Sequence, residues 1–217
     1  MLEFWKNLFK DSWTIYIQNI SLIMGALILT FLPALILPLI PYGEIQGYMN
    51  SNQVWDSIFQ SLSFSEIFFI FSIQILTRGL GVGMLSILYN TTCGKTASIK
   101  GLVSKFYCLP KILLPDLIVG LVVFFSTTPI LTITIYVIYQ FVFFYYTLIV
   151  ITDNSGVLDS INKSFNLVKS NVGLIVQFMV ITILMGFVGL FFPLLILALF
   201  PIGVIVYIKI YLQISGS

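Results

Sequence analysis

Ile112-Leu113-Leu114-Pro115-Asp116-Leu117-Ile118-Val119-Gly120-Leu121-Val122-Val123-Phe124-Phe125-Ser126-Thr127-Thr128-Pro129 opens an apolar run that continues without a further charge to Ile151. As one helix, a run of about 40 residues would be about 60 Å long, twice the thickness of a hydrocarbon core. The chain must turn back, and Ser126-Thr127-Thr128-Pro129 is the one polar, helix-breaking place to do so. The same reasoning divides 172–213 at Phe192-Pro193. Neither turn carries a charge, so both should be tight. A pair of re-entrant half-helices is the alternative reading at each.

Two further apolar runs, at about 20–40 and 64–90, bring the expectation to six transmembrane helices. Composition agrees: of 217 residues, 59% are hydrophobic and 8% charged, against roughly 25% charged in soluble domains. The fold class expected is therefore an all-α membrane protein, one integral membrane domain over 1–217. The start, Met1-Leu2-Glu3-Phe4-Trp5-Lys6-Asn7-Leu8-Phe9-Lys10-Asp11, carries charge where a signal peptide has its apolar core, so the first span is expected to stay as an uncleaved anchor.

Orientation follows from the lysines. With six spans, all nine fall at one face: Lys6 and Lys10 before span one, then Lys95, Lys100, Lys105 and Lys111 between spans two and three. Lys163 and Lys169 lie between spans four and five, and Lys209 near the C-terminal end. The other face has Glu44, Asp56 and Glu66 and no lysine. By the positive-inside rule the lysine face is cytoplasmic, with both termini inside a multi-pass protein of the cell membrane.

The cytoplasmic segments carry helical periodicity. In 98–110, Ile99, Leu102, Val103 and Phe106 share a face, with Lys100, Ser104 and Lys105 elsewhere on the wheel. In 157–169, Leu158, Ile161, Phe165 and Val168 oppose Asp159, Asn162, Lys163 and Lys169. Near the start, Leu2, Trp5, Leu8 and Phe9 oppose Glu3, Lys6, Asn7 and Lys10. Each reads either as a short amphipathic helix in the membrane interface or as a connector packed on the bundle end. Three helical hairpins, each preceded by such a helix, give pseudo-repeats at 1–90, 95–151 and 155–213, marked by Phe9, Phe106 and Phe165 and then by Pro33, Pro129 and Pro193. Parallel repeats of this kind are related by an axis along the membrane normal.

Arg78, in Ile75-Leu76-Thr77-Arg78-Gly79-Leu80-Gly81, is the sharpest single feature. An arginine at that depth costs a few kcal/mol on insertion scales and should face the bundle interior or a water-filled cavity. It is either a binding group for an anion, such as a lipid phosphate or a carboxylate, or half of a structural ion pair. Asp116 is the acid available to it. Counted from the cytoplasmic ends of their apolar runs, however, the two differ in depth by about 10 Å at helical rise. After Pro115, Asp116 is therefore expected to cap the third span, with an ion pair as the alternative. Asn19 and Asn171 stand before spans one and five as expected N-caps, and Ser164 is a further structural polar residue of the same class. Gly79, Gly81 and Gly83 read as close helix packing rather than a phosphate loop. Tyr42, Tyr48 and Trp55 outside, with Tyr145, Tyr146, Tyr207 and Tyr211 inside, read as interfacial belts. Sequons at Asn19, Asn90 and Asn162 fall on the cytoplasmic side and read as coincidence.

The chain has no histidine and no Cys or carboxylate cluster, and its two cysteines, Cys93 and Cys108, face a reducing compartment as free thiols. No catalytic residue, metal site or cofactor is expected, and an intramembrane enzyme is the weakest class.

Asp159-Ser160-Ile161-Asn162-Lys163-Ser164-Phe165-Asn166-Leu167-Val168-Lys169-Ser170-Asn171 before an apolar span resembles an element, Ser-Phe-x-Leu-Val-Lys-x-Asn before a hydrophobic hairpin, found in prokaryotic membrane proteins of uncharacterised function. These are related to the membrane domain beside some glycerophosphodiester phosphodiesterases. Lys100 to Lys111 is similar to a weaker copy, and the six-span layout matches loosely. The resemblance implies a non-catalytic helical membrane domain and carries over no catalytic residue. The Ile, Asn and Lys bias also points to an AT-rich prokaryotic genome.

The function expected is binding of lipid headgroups or a membrane partner through the basic amphipathic helices, with Lys100, Lys105, Lys111, Lys163 and Lys169 as the anion-binding set beside Arg78. The alternative is a small transporter, scramblase or channel for an anionic solute or lipid that uses buried Arg78. Partners expected are membrane lipids, with a membrane protein or a second copy of the chain as further occupants; no nucleic acid is expected.

Overall fold

The computed structural model describes residues 2–36, 64–124 and 129–216. Every regular element among them is helical: α1 (Leu2–Gln18), α2 (Ile20–Ile36), α3 (Phe64–Thr92), α4 (Gly101–Ser104), a 3-10 turn (Phe106–Cys108), α5 (Leu109–Phe124), α6 (Pro129–Val142), α7 (Tyr146–Asp153), α8 (Val157–Ser170), α9 (Val172–Phe191) and α10 (Pro193–Ser215). The excursion 41–63 with Tyr42, Glu44, Tyr48, Trp55 and Asp56, and the turn residues Ser126, Thr127 and Thr128, lie outside the described residues.

Three described helices are long and apolar enough to cross a membrane: Phe71–Thr92 in α3, Val172–Phe191, and Leu195–Ser215 in α10. A fourth is added if α1 and α2, bent by 84° at Asn19, count as one span. The remaining apolar helices are shorter, 17 residues in α2, 16 in α5 and 14 in α6. Each of these three abuts residues that are not described. At Phe192-Pro193 the chain does break, with Pro193 opening α10 at the position where its missing N–H costs nothing.

The packing is cyclic. Within each unit the two apolar helices pair, α2 with α3, α5 with α6, and α9 with α10. The short amphipathic element of each unit packs on the second helix of another: α4 on α3, α8 on α6 and α7, and α1 on α10. The last contact closes the ring, with Lys209 Nζ 3.1 Å from Asp11 Oδ2 and Trp5 Nε1 donating to Gln177 Oε1 at 3.1 Å.

Burial concentrates at the lysine end of this ring. Leu8, Tyr16, Ile23, Ile87, Leu88, Tyr145, Leu148, Ile175, Ile205 and Ile208 form one core there. Toward the other end α9 is largely bare; only 17% of its apolar stretch is buried, and Ile183, Leu184, Phe187 and Phe191 are exposed. Exposed apolar surface on that scale needs hydrocarbon as its solvent.

The inner tyrosines do not form a belt. Tyr145 lies in the core, its ring stacked on Tyr207 at 5.0 Å and 5.4 Å from that of Tyr211, and Tyr207 Oη donates to the Phe144 carbonyl at 2.5 Å. A turn at 143–145 separates α6 from α7 and sends Tyr145 and the next residue into different clusters, Tyr146 Oη donating to the Lys111 carbonyl at 2.6 Å. An aromatic ring with one polar atom suits such a junction as well as it suits a membrane interface, so composition alone does not separate the two.

Periodicity in 98–110 predicts one helix, but α4 has four residues and gives way at Lys105 to the 3-10 turn. The cause is the close approach of this segment to α3. A Cβ at Gly83 would collide with the backbone carbonyl of Leu102, and one at Gly79 would lie 2.7 Å from the Phe106 ring. The glycines of 79–83 thus admit a connector's backbone.

Candidate functional site

Arg78 Nη2 lies 2.8 Å from Asp116 Oδ2, and Tyr139 Oη donates to Asp116 Oδ1. Three helices supply this group: α3, α5 and α6. The expected cap at Asp116 is corrected, because α5 begins at Leu109 and Asp116 stands well inside it with its carboxylate on Arg78.

The depth argument fails because the two apolar runs do not start level. Leu109, at the start of α5, packs beside Gly79 rather than beside the end of α3. From Gly79, α3 continues about 20 Å further at ~1.5 Å per residue. Asp116 therefore stands about 10 Å above Leu109, on the far side of Arg78 from the lysine face. Helical side chains lean toward their own N-terminus. Because α3 runs toward the lysine face and α5 away from it, Arg78 leans up and Asp116 leans down, and they meet.

The pair is not sealed in. The Arg78 side chain is 48% exposed and that of Asp116 30%. Both line a cleft of ≈ 670 Å³ between α3, α5 and α6, with Phe71, Gln74, Ile75, Pro110, Leu113, Leu114, Leu117, Tyr139 and Gln140. Sequence reading overlooked Tyr139, Gln74 and Gln140. The available signal was spacing: Gln74 is one helical turn before Arg78, and Gln140 adjoins Tyr139 within an otherwise apolar run.

The lysines divide into two sets. Lys105 Nζ donates to the Ile151 carbonyl at 3.2 Å. Lys111 Nζ reaches Asn154 Oδ1 at 3.2 Å and the Ser155 carbonyl at 3.2 Å. Both are held at the C-terminal end of α7, where cations satisfy free carbonyls. Lys163 Nζ lies 2.8 Å from Asp153 Oδ2. Partial burial works against the charged form of Asp153, but hydrogen bonds from Lys163 and Thr152 outweigh it and hold the carboxyl below its usual range. The hydrogen bond and charge of Asp153 raise the Lys163 ammonium above its ordinary value. Lys100 and Lys169 are exposed and have no hydrogen bond or ion pair among the described residues.

Compared with protein-family models, curated proteins and solved structures, the chain matches none significantly. Function must be read from the residues themselves.

Asn19 and Asn171 occupy the expected positions before α2 and α9, but their side chains serve the preceding helix. Asn19 Nδ2 donates to the Ile15 carbonyl at 2.9 Å and Asn171 Nδ2 to the Leu167 carbonyl at 3.0 Å. The expected N-caps are thus corrected to C-terminal caps. Ser164, fully buried, accepts the backbone N–H of Tyr145 at 3.1 Å, which joins α8 to the start of α7. Among the described residues no group of three His, Cys, Asp or Glu is placed to hold a metal.

α1, α4 and α8 turn part of their expected apolar faces inward, with Leu8, Leu102 and Val168 buried and Trp5, Phe9, Phe106 and Ile161 packed against the core, and leave the rest exposed. α8 buries Ser160, Ser164 and Val168 and leaves Leu158 75% and Phe165 46% exposed. α1 buries Leu8, Ser12 and Tyr16 and exposes Leu2, Trp13 and Ile17; Val103 in α4 and Ile99 and Tyr107 flanking it are exposed. Large apolar side chains next to free lysines are the pattern of a helix lying in a headgroup layer.

Proposed function

We propose that this chain is a non-enzymatic membrane protein of six spans, with both termini and all nine lysines on the cytoplasmic side. Its basic amphipathic segments hold anionic lipid headgroups. The observation that carries this reading is the exposure of Leu158 and Phe165 beside Lys169 on α8, while Ser160 and Ser164 are buried against the bundle. A connector packed only on the bundle end would turn its apolar side chains inward. The layout of three hairpins also lines the lysines up on one face, where juxtamembrane basic residues gain about 1 kcal/mol each from an anionic leaflet.

The test uses the full chain reconstituted with equal phosphatidylglycerol and phosphatidylcholine and then transferred to detergent, with retained lipid counted by native mass spectrometry. Retention should favour phosphatidylglycerol and fall in K100Q/K169Q. Equal retention of both lipids, or a variant identical to the parent, would exclude the reading.

A further inference from the structure

We infer that the Arg78–Asp116 cleft binds the headgroup of a phosphoethanolamine lipid, the phosphate on Arg78 and the ammonium on Asp116. A plain anion is a poor fit. Asp116 already holds Arg78 at 2.8 Å, so an incoming anion gains the guanidinium only against the neighbouring carboxylate. A ligand carrying both signs meets both groups. Arg78 offers five N–H donors in a planar fork, and a single Nη2 contact engages Asp116. Asp116 accepts from Arg78 and Tyr139 and retains free lone pairs on its two oxygens. Gln74 and Gln140 add neutral donors and acceptors at the cleft wall.

The cleft also shows where the ligand enters. Pro110, adjoining Lys111, lines one end, which places that end at the lysine face. Phe71, Ile75, Leu114 and Leu117 line the walls and are exposed on the bundle side, where acyl chains lie. A headgroup from the adjoining leaflet slides in laterally with its tails against those four side chains. A soluble zwitterion of the same charges leaves them uncovered. This inference does not depend on headgroup binding by Lys100 and Lys169.

The experiment reconstitutes the full chain with equal phosphatidylethanolamine, phosphatidylcholine and phosphatidylglycerol and counts lipid retained in detergent. In K100Q/K169Q, which removes the lysine-held phosphatidylglycerol, phosphatidylethanolamine should be retained above both others by roughly tenfold, the worth of one charge-assisted hydrogen bond. Phosphatidylcholine lacks the N–H donors for Asp116, and phosphatidylglycerol lacks the cation. R78Q/D116N, which removes both charges and orphans neither, should lose the preference while K100Q/K169Q keeps it. R78K keeps the pair and should retain the preference in part. Equal retention of phosphatidylglycerol in K100Q/K169Q, or an unchanged preference when R78Q/D116N is added to it, would overturn the site. Displacement by water-soluble glycerophosphoethanolamine at the same concentration would overturn the lipid as its source.

Discussion

Asn19 and Asn171 stand 152 residues apart and do the same thing, each donating its side-chain amide to the carbonyl four residues back as an amphipathic helix turns into an apolar one. The same spacing relates Ser12 to Ser164, both fully buried, and Ile23 to Ile175, likewise fully buried. It also relates Thr30 to Thr182, whose hydroxyls bond the carbonyls of Ala26 and Phe178. α1–α2 and α8–α9 are thus one local solution used twice. The shared problem is a helix end at the membrane surface, where carbonyls need a donor before the chain enters hydrocarbon.

Removing either cap should therefore have a like effect. N19A and N171A should each lower stability by about 1 kcal/mol, the usual worth of a hydrogen bond, with no change in lipid preference. Thermal unfolding in detergent reads the first part and retained-lipid counts the second. Different losses at the two sites would contradict the equivalence.

S164A should cost more. It leaves the backbone N–H of Tyr145 without its 3.1 Å acceptor inside a packed junction, a desolvation penalty of about 1–3 kcal/mol. Hydrogen exchange at the Tyr145 amide should rise in step with the loss in melting temperature.

Gly83 and Gly81 make a matched pair. G83A drives a methyl into the Leu102 carbonyl, whereas nothing lies within 4 Å of a Cβ at Gly81. G83A should destabilise by about 1–3 kcal/mol through overpacking, and G81A should be near neutral. Equal effects would place the 101–108 segment elsewhere.

The Asp153–Lys163 bridge should give α8 an acid limit. The folded Asp153 carboxyl is held below its unfolded value, so its contribution is present above that value, about pH 4, and is lost as pH falls through the folded one. The raised Lys163 keeps its charge throughout this window. A stability gap between wild type and D153N at pH 7 should shrink as pH drops below about 4. A gap constant from pH 7 to 3 would show that the bridge does not tether α8.

Topology has a direct check. In a C93S/C108A background, W55C should react with an impermeant maleimide from outside and not from the cytoplasm. Cytoplasmic labelling would reverse the orientation read from the lysines.

The all-helical class, the break at Phe192-Pro193 and Arg78 as a charge within an apolar helix were all legible in the sequence. Each depends on local chemistry: apolar run length against membrane thickness, proline's missing donor, and the cost of a charge in hydrocarbon. The partner of Arg78 was not legible. It depends on where α5 starts relative to α3, and that register comes from Gly79 and Gly83 accepting the 101–109 segment, a contact between chain segments that no single run encodes. Nor could the wheel show which face of α8 turns inward. Amphipathy divides polar from apolar residues, but the fit of small side chains against α6 and α7 leaves Ser160 and Ser164 buried and Phe165 exposed. Tertiary structure likewise turned Lys105 and Lys111 from free cations into caps for α7, while Lys100 and Lys169 of the same set stay exposed without a hydrogen bond or ion pair among the described residues.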